Sequence, residues 1–177
     1  PDFIVFISVP EAVIDERIKY RVICPVCKTP RNTKLAPTKE VVYDENSGAF
    51  CLVCDNPDCS ERGTARMVKK EGDELGIEPI RKRLEVDDKI FDQLLRLSGI
   101  PHIYLRNAIP VHAAKEYVDE YELTPVYSYE RDANSKKVNV TEKPWIINDD
   151  DGVSSHSLLP AAVAFGLIKQ VASTLKL

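Results

Sequence analysis

Apolar and polar positions along the first part of the chain predict short strands. Runs rich in Ile, Val and Phe from Phe3 to Val9 and from Ile18 to Ile23 favour strands. The runs Val41 to Tyr43 and Ala49 to Val53 surround a polar turn that contains glycine, which favours a hairpin. Thr64 to Val68 is predicted to return beside it as a further strand. The beginning of the chain is therefore expected to be β.

Helical periodicity appears further along. After Asp87, the predicted N-cap, apolar residues recur at helical spacing until Gly99. Pro101 to Leu105 is predicted to be extended, and Pro110 is predicted to start a second helix. Ser157 is the predicted cap of a last helix that carries few charges. Such a helix should be covered, and our first expectation is a core position, with docking on a partner as the alternative.

Two alternating segments, Val126 to Arg131 and Val138 to Ile147, predict a hairpin around the turn Asp132-Ala-Asn-Ser. Pro144 is expected at an edge of its sheet because proline lacks an amide donor. Gly166 lies within the last helix, where glycine is unfavourable, and it indicates close packing against a neighbouring element.

The composition changes between residues 70 and 80, which predicts a boundary there. Residues 1–72 would hold the N-terminal strand and a cysteine-bearing element, and residues 73–177 the helices, the later hairpin and the last helix. The fold class is α+β, and we expect one compact unit. The chain begins at Pro1 and its only methionine is Met67, so we expect a piece of a longer protein.

Four of the five cysteines form two short pairs, Cys24 with Cys27 in Cys-Pro-Val-Cys and Cys54 with Cys59 in Cys-Asp-Asn-Pro-Asp-Cys. Zinc in structural sites takes four thiolate or imidazole ligands in a tetrahedron, and two tight turns that each present a pair satisfy that geometry. Disulfides are the alternative. Clustering at metal spacing without a signal peptide favours zinc, or iron in its place, in a reducing compartment.

This pattern resembles the zinc-ribbon family, in which a Cys-Pro-x-Cys turn is answered by a later Cys-x-Asn-Pro-x-Cys turn. The resemblance covers about residues 20 to 70. It implies a small antiparallel sheet clamped by metal, with Cys24, Cys27, Cys54 and Cys59 as ligands, and it implies no particular activity. The chain departs from the family in a longer separation between its turns and in having Lys28 where glycine often follows the second cysteine.

Cys51 offers a rival pairing, because Cys51-Leu-Val-Cys54 also has ligand spacing. In an extended run from Ala49 to Cys54, side chains alternate between faces, so Cys51 and Cys54 point in opposite directions. Cys51 is therefore predicted to be a buried small hydrophobic residue, and it remains the substitute ligand.

Charge argues against a nucleic-acid partner. Basic and acidic residues number 12 and 10 over residues 21–83, and 10 and 14 over residues 84–177. One divalent zinc on four thiolates adds two negative charges, which cancels the small basic excess. The dense cluster Arg81-Lys82-Arg83 is predicted to be a solvated turn before a helix, with a phosphate site as the alternative.

No catalytic motif emerges from the sequence. The seven glycines are too scattered to build a Walker phosphate loop or a dinucleotide fingerprint. The best remaining set is Arg106, Asn107 and His112 between a predicted strand end and a helix start, where an anion could bind. Arg106 is also expected to pair with a carboxylate of the helix that follows. His156 and the run Asp149 to Asp151 could add an acid or a hard-metal site, although a solvated turn is the simpler interpretation.

Taken together, these patterns predict a cytoplasmic, non-catalytic accessory or interaction domain of a larger protein, stabilised by structural zinc. No apolar run reaches the ~20 residues that a membrane helix needs. The expected partner is the remainder of a larger protein or another protein. One alternative is an enzyme domain that binds an anionic metabolite or nucleotide near Arg106, and the other is a nucleic-acid-binding zinc ribbon.

Overall fold

The computed structural model describes residues 3–133, 135 and 137–176. Within them the chain is α+β, as predicted, with helices interspersed among small sheets. The α-helices are α1 (Glu11–Lys19), α2 (Arg81–Leu95), α3 (Val111–Tyr117) and α4 (Pro160–Leu175). Short 3-10 turns occupy Asp73–Leu75, Glu78–Ile80 and Glu120–Glu122.

The strands are short, and most pair with antiparallel neighbours. They are β1 (Ile4–Ser8), β2 (Arg21–Ile23), β3 (Pro30–Asn32), β4 (Val41–Asp44), β5 (Ala49–Leu52), β6 (Val68–Lys69), β7 (His102–Arg106), β8 (Ala108–Pro110), β9 (Pro125–Arg131), β10 (Val138–Pro144), β11 (Ile146–Asn148) and β12 (Ser154–Ser157).

The chain forms two compact units, each assembled from stretches that are distant in sequence. Unit 1 comprises residues 1–15, 77–124 and 145–177, and unit 2 comprises residues 16–76 and 125–144. The cysteine pairs all belong to unit 2.

Unit 2 combines a sheet of order β3-β2-β6 with two hairpins, β4-β5 and β9-β10. The hairpins predicted at 41–53 and 126–147 are therefore present, the second only as far as Pro144, although Asn134 of its turn lies outside the described residues. Buried Val22, Leu52 and Met67 surround the cysteines. Tyr129 of β9 packs against this core, and its ring lies 5.6 Å from that of Phe50.

Unit 1 contains a parallel pair, β1 with β7, and an antiparallel sheet of order β11-β12-β8. Phe6 of β1 packs against Phe91 of α2, with ring centroids 4.8 Å apart, while α4 packs along β7. Most of the large apolar side chains of α4 are half-buried or exposed, so the predicted core position of this helix is wrong.

The first helix was missed because its cap is not local. Ile18 belongs to the last turn of α1, and the strand begins only at Arg21. The backbone amide of Glu11 donates to Oδ1 of Asp150 (2.8 Å), a residue 139 positions away. A bond over that separation satisfies a free amide of the first helical turn, and no nearby sequence signal announces it.

Two predicted helix starts are also wrong. α2 begins at Arg81, six residues before Asp87, because the 3-10 turn that contains Pro79 runs directly into it. The basic cluster is therefore the first helical turn, and its Arg81 pairs with Glu78 (2.5 Å). Ser157 lies buried in β12, and α4 starts at Pro160, since proline suits a first helical position. The strand β12 itself was not predicted.

The long strand predicted from Val138 to Ile147 is divided in two. β10 ends at Pro144, paired with Pro125 at the open end of its hairpin, and Ile146–Asn148 joins β12 in a different sheet. Proline has no amide hydrogen to donate to a neighbouring strand, which explains why the pairing of β10 ends at Pro144 and the chain then enters a different sheet. Across the described residues, none of the helices has the length and apolar character that crossing a membrane requires.

Candidate metal centre

Two turns present the four clustered cysteines. Cys24 follows β2 directly, and the amide of Lys28 closes the first turn by donating to the Cys24 carbonyl (3.0 Å). Cys54 follows β5 by two residues, and the amide of Gly63 closes the second loop on the Cys54 carbonyl (2.9 Å). The Cys59 amide donates to the Asn56 carbonyl (3.1 Å), which forms the tight turn within that loop.

The four sulfur atoms form a compact group. All of them lie within 4.8 Å of one another. The Sγ atoms of Cys24 and Cys59 are 3.8 Å apart, and those of Cys27 and Cys54 are 3.7 Å apart. Zinc bound to four sulfurs at about 2.3 Å in a tetrahedron sets neighbouring sulfurs about 3.8 Å apart. The spacing is therefore compatible with a zinc-binding site.

The same distances exclude disulfides in this structure. A disulfide holds its sulfurs at about 2.05 Å, whereas all five cysteines of the chain are free thiols. Cys24, Cys54 and Cys59 are buried and Cys27 is half-buried, so the cluster lies inside the core of unit 2. Four protein ligands complete a tetrahedron and leave no position for substrate water, which is typical of structural sites.

Thr29 and Asn56 connect the two turns around Cys27. The Thr29 hydroxyl lies 3.2 Å from the Cys27 sulfur and accepts a hydrogen bond from Nδ2 of Asn56 (2.7 Å). As a thiol, Cys27 donates to this hydroxyl; once Cys27 is a thiolate, the hydroxyl can donate to the sulfur while it still accepts from the Asn56 amide. These bonds from Thr29 side chain and backbone, and from Asn56, lower the pKa of Cys27 to about 5. Sequence reasoning treated Asn56 only as a turn residue and did not identify Thr29.

Burial has the opposite effect at Cys54, where it raises the pKa of the thiol to about 12. Removing a thiolate from water disfavours its charged form. Several thiolates together in a buried cluster need a cation to offset their charge, and zinc deprotonates the thiols that coordinate it. The donor set and its surroundings therefore fit a thiophilic divalent metal.

Lys28 has a backbone φ of +61°, in the left-handed region. It follows the second cysteine of the first turn, where zinc ribbons often have glycine. A side chain in this region is strained relative to glycine. Its Nζ donates to the Pro25 carbonyl (2.7 Å), a contact that glycine would lack. Lys28 therefore adopts the left-handed backbone conformation that glycine usually supplies at this position of the turn.

Cys51 lies outside the sulfur group. It belongs to β5, opposite Val42 of β4, and it is half-buried. β5 ends at Leu52, two residues before Cys54, and the sulfur group contains Cys54 but not Cys51. Cys51 was predicted to be buried, whereas the structure leaves it half-buried.

The predicted anion site lies in unit 1 and has protein partners of its own. Nη2 of Arg106 lies 3.1 Å from a carboxylate oxygen of Asp149 and 3.6 Å from one of Asp151. The expected partner in the following helix is therefore wrong. The amide side chain of Asn107 donates to the Leu158 carbonyl (3.1 Å) and accepts from the Ser157 hydroxyl (2.9 Å).

His112 is the second residue of α3 and is exposed. His156 is buried, and its Nδ1 lies 3.0 Å from the Trp145 carbonyl. The proposed ligand-binding role of Arg106, Asn107 and His112 stays a prediction, since the contacts of Arg106 and Asn107 are with the protein itself.

The acidic run forms a folded loop. Asp149 accepts hydrogen bonds from the amides of Val153 (2.9 Å) and Asp151 (3.1 Å) and from the Ser155 hydroxyl (3.1 Å). The amide of Val153 contributes most to lowering the pKa of Asp149, and the charge of Arg106 adds to it. Asp150 accepts a hydrogen bond from the first turn of α1. Asp149 and Asp150 are therefore bonded to groups of the protein itself.

Comparisons of the chain with protein-family models, with curated proteins and with solved structures give no match. The interpretation of the cysteine cluster consequently depends on its geometry and chemistry.

Proposed function

We propose that Cys24, Cys27, Cys54 and Cys59 bind one zinc ion that stabilises unit 2 as a zinc-ribbon-like element. We further propose that the chain is a non-catalytic accessory or interaction domain of a larger cytoplasmic protein. The observation that carries the proposal is the convergence of four thiol groups, from two turns about 30 residues apart, within 4.8 Å in a protein core.

The surroundings of the sulfurs support a structural role for the metal. The cluster shares its core with Val22, Leu52 and Met67, so metal binding and core packing stabilise the same part of the fold. Structural zinc sites have four protein ligands, whereas catalytic zinc keeps one position for water or substrate. Loss of the metal would leave several buried thiols in contact and detach the two turns from each other.

An interaction role is supported by apolar side chains that unit 1 leaves exposed. They include Val86 and Ile90 on α2 and Phe165 and Ile168 on α4, with exposed fractions from 47% to 64%. Exposed apolar surface of this kind is typical of protein interfaces. The chain has a formal charge of −4, and four thiolates on one divalent ion add to it, so a protein partner is favoured over a nucleic acid.

Amide hydrogen exchange with and without metal tests the structural role. After chelation, we expect faster exchange at Val22 and Leu52, which are buried beside the cysteines, because opening of unit 2 no longer requires metal release. Ile103, buried in β7 of unit 1, is the matched internal control. Zinc readdition should restore protection at the first two positions.

Exchange that is unchanged throughout unit 2 after complete removal of the metal would contradict the structural role. Equal acceleration in both units would show that the metal does not stabilise unit 2 selectively. Exchange limited to the turns themselves would also reject the proposal, because the metal would then hold two loops and not the core.

A further inference from the structure

One edge of the parallel pair in unit 1 is open. The Ile4 amide donates to the Pro101 carbonyl (2.9 Å), and the Asn107 amide donates to the Ser8 carbonyl (2.8 Å). In this parallel register the even-numbered residues of β1 point their backbone groups at β7, so Val5 and Ile7 point theirs away. Within the described residues, no backbone hydrogen bond reaches Val5 or Ile7 from this outer side.

The side chains at this edge are also uncovered. The side chains of Val5 and Ile7 are 38% and 56% exposed. Ile103 and Leu105, on the same face of the neighbouring strand, are less than 6% exposed. α4 covers that face over β7, where Leu105 lies 3.6 Å from the position of a Cβ on Gly166. Parallel strands are normally covered on both faces. On the face that carries Val5 and Ile7, no element of the described chain covers β1 in the way that α4 covers β7.

Several of the other strand edges that the structure describes are protected. Nε2 of Gln170 donates to the Tyr104 carbonyl (3.1 Å), which points to the outer side of β7, so a helix side chain occupies one acceptor of that edge. β4, β9 and β10 each carry charged residues, which oppose pairing with another strand. β1 consists of Ile-Val-Phe-Ile-Ser and has neither a charge nor a proline.

We infer that β1 is a dimerisation edge, at which a second copy of this chain adds its own β1 in antiparallel orientation. An uncharged apolar edge is best matched by another uncharged apolar strand, and β1 provides one. Two identical edges can meet across a two-fold axis, the commonest symmetry of homo-oligomers. Val5 would pair with Ile7 of the second copy, each pair exchanging two backbone hydrogen bonds, with Phe6 at the axis.

The helix over this strand supports a second copy as the occupant. Phe6 contacts Phe91 of α2, so the two-fold pairing brings both α2 helices to the same face of the joined sheet. α2 leaves Val86 and Ile90 exposed by 52% and 47%, so the helix that packs on this strand also carries uncovered apolar surface. A stable dimer needs such area in addition to a few backbone hydrogen bonds.

This inference specifies the partner within the proposed interaction role and rests on that part of the proposed function. The zinc site lies in unit 2 and the edge in unit 1, so their failures are distinguishable. Metal content measured on the same samples reports the first, and molar mass in solution reports the second.

Sedimentation equilibrium of the zinc-loaded chain over a wide dilution series tests the dimer. The wild type is expected to be dimeric at high concentration. Ile7→Lys should yield monomers because lysine on an edge strand opposes pairing. Ile146→Lys is the matched control, since Ile146 is 54% exposed on β11 of the same unit, and it should remain dimeric. Val5→Pro removes an outward amide and leaves the bonds to β7, so it should also yield monomers.

Circular dichroism shows whether each variant folds, and Val5→Pro decides the question if Ile7→Lys does not. Hydrogen exchange adds a direct readout, because the Val5 and Ile7 amides should gain protection as the wild type dimerises. A wild type that is monomeric at every concentration would overturn the inference. Dimers that persist in folded Ile7→Lys or Val5→Pro, or that dissociate equally in Ile146→Lys, would also overturn it.

Discussion

At the residue scale, one of the clustered cysteines has a polar neighbour that would support metal binding without being a ligand itself. The Thr29 hydroxyl contacts the Cys27 sulfur and accepts a hydrogen bond from Asn56, so it connects the two turns that carry the cysteines. Groups that hydrogen-bond to metal ligands orient them, and their removal commonly weakens metal affinity about 10- to 100-fold. We therefore expect Thr29 to affect the zinc affinity of the site, although it is not itself a ligand.

Thr29→Val, which replaces the hydroxyl by a methyl group of similar size, is expected to weaken zinc binding about tenfold. The variant keeps all four cysteines, but Cys27 loses a donor that favours its thiolate form. Competition with a chromogenic chelator measures the affinity. Thr141→Val is the control, since Thr141 bonds to Ser128 on the β9-β10 hairpin. Equal zinc affinity of the two variants would contradict the role assigned to Thr29.

Asp73 is the buried acid of unit 2, and Arg21 binds it with two hydrogen bonds of 2.6 and 2.7 Å. The pKa of Asp73 lies below its ordinary value because of these bonds, although burial opposes the shift. The folded state therefore holds this proton less tightly than the unfolded chain. The pair stabilises the fold above the unfolded pKa of about 3.9, and this contribution is lost as pH falls through the lower folded value.

Asp73→Asn is expected to lower the free energy of unfolding by about 1 kcal/mol at neutral pH. The difference from wild type should narrow as pH falls below about 4, since both proteins then lack the carboxylate. Urea unfolding over a pH series measures both curves, and the exposed Asp88→Asn serves as control. A difference that stays constant across the whole pH range would contradict the assignment.

At the scale of elements, the parts of the fold with local signals were predictable. The hairpin at 41–53 has a glycine-containing turn between apolar runs, and Gly48 adopts a φ of +65° there. The helix α3 starts after Pro110, as expected from the fixed backbone of proline. These segments carry their turn or cap within a few residues.

The elements that were missed depend on distant partners. α1 receives a cap from Asp150, and β12 is a run of serines and histidine that is stable because β8 and β11 pair with it on both sides. The serine-rich sequence shows no apolar periodicity, so its burial could not be read from the chain. Thr29 was missed for the same reason. The cysteine spacing predicted the sulfur cluster, but the role of Thr29 depends on its contact with Asn56, which lies in the second turn.

Gly166 provides a test of packing in α4. A Cβ at this position would lie 3.6 Å from Leu105, which is an ordinary van der Waals distance. Gly166→Ala is therefore expected to raise the free energy of unfolding by roughly 0.5–1 kcal/mol, because alanine favours helix and fills available space. Thermal unfolding measures the change.

Gly152→Ala is the matched control for that substitution. Gly152 has a φ of +75°, so alanine there would be strained by about 1 kcal/mol and should lower stability. A destabilised Gly166→Ala variant would show that the contact between α4 and β7 is tighter than the structure describes.

At the scale of the whole molecule, the two units have different sources of stability. Unit 2 surrounds its sulfur cluster with short strands, while unit 1 combines helices with a parallel pair whose outer edge is open. Small sheets bury little apolar surface, and a metal ion can supply the missing stability. Unit 1 leaves much apolar surface uncovered, and we propose that a second chain covers part of it.

We propose that Cys24, Cys27, Cys54 and Cys59 hold one zinc ion and that Cys51 does not take part. Elemental analysis by mass spectrometry of protein purified after zinc loading tests it most directly, with iron measured in the same samples. We expect one zinc per chain in the wild type and in Cys51→Ser, and a large loss in Cys24→Ser together with a lower melting temperature. Full zinc occupancy in Cys24→Ser, or loss of zinc in Cys51→Ser, would contradict the account.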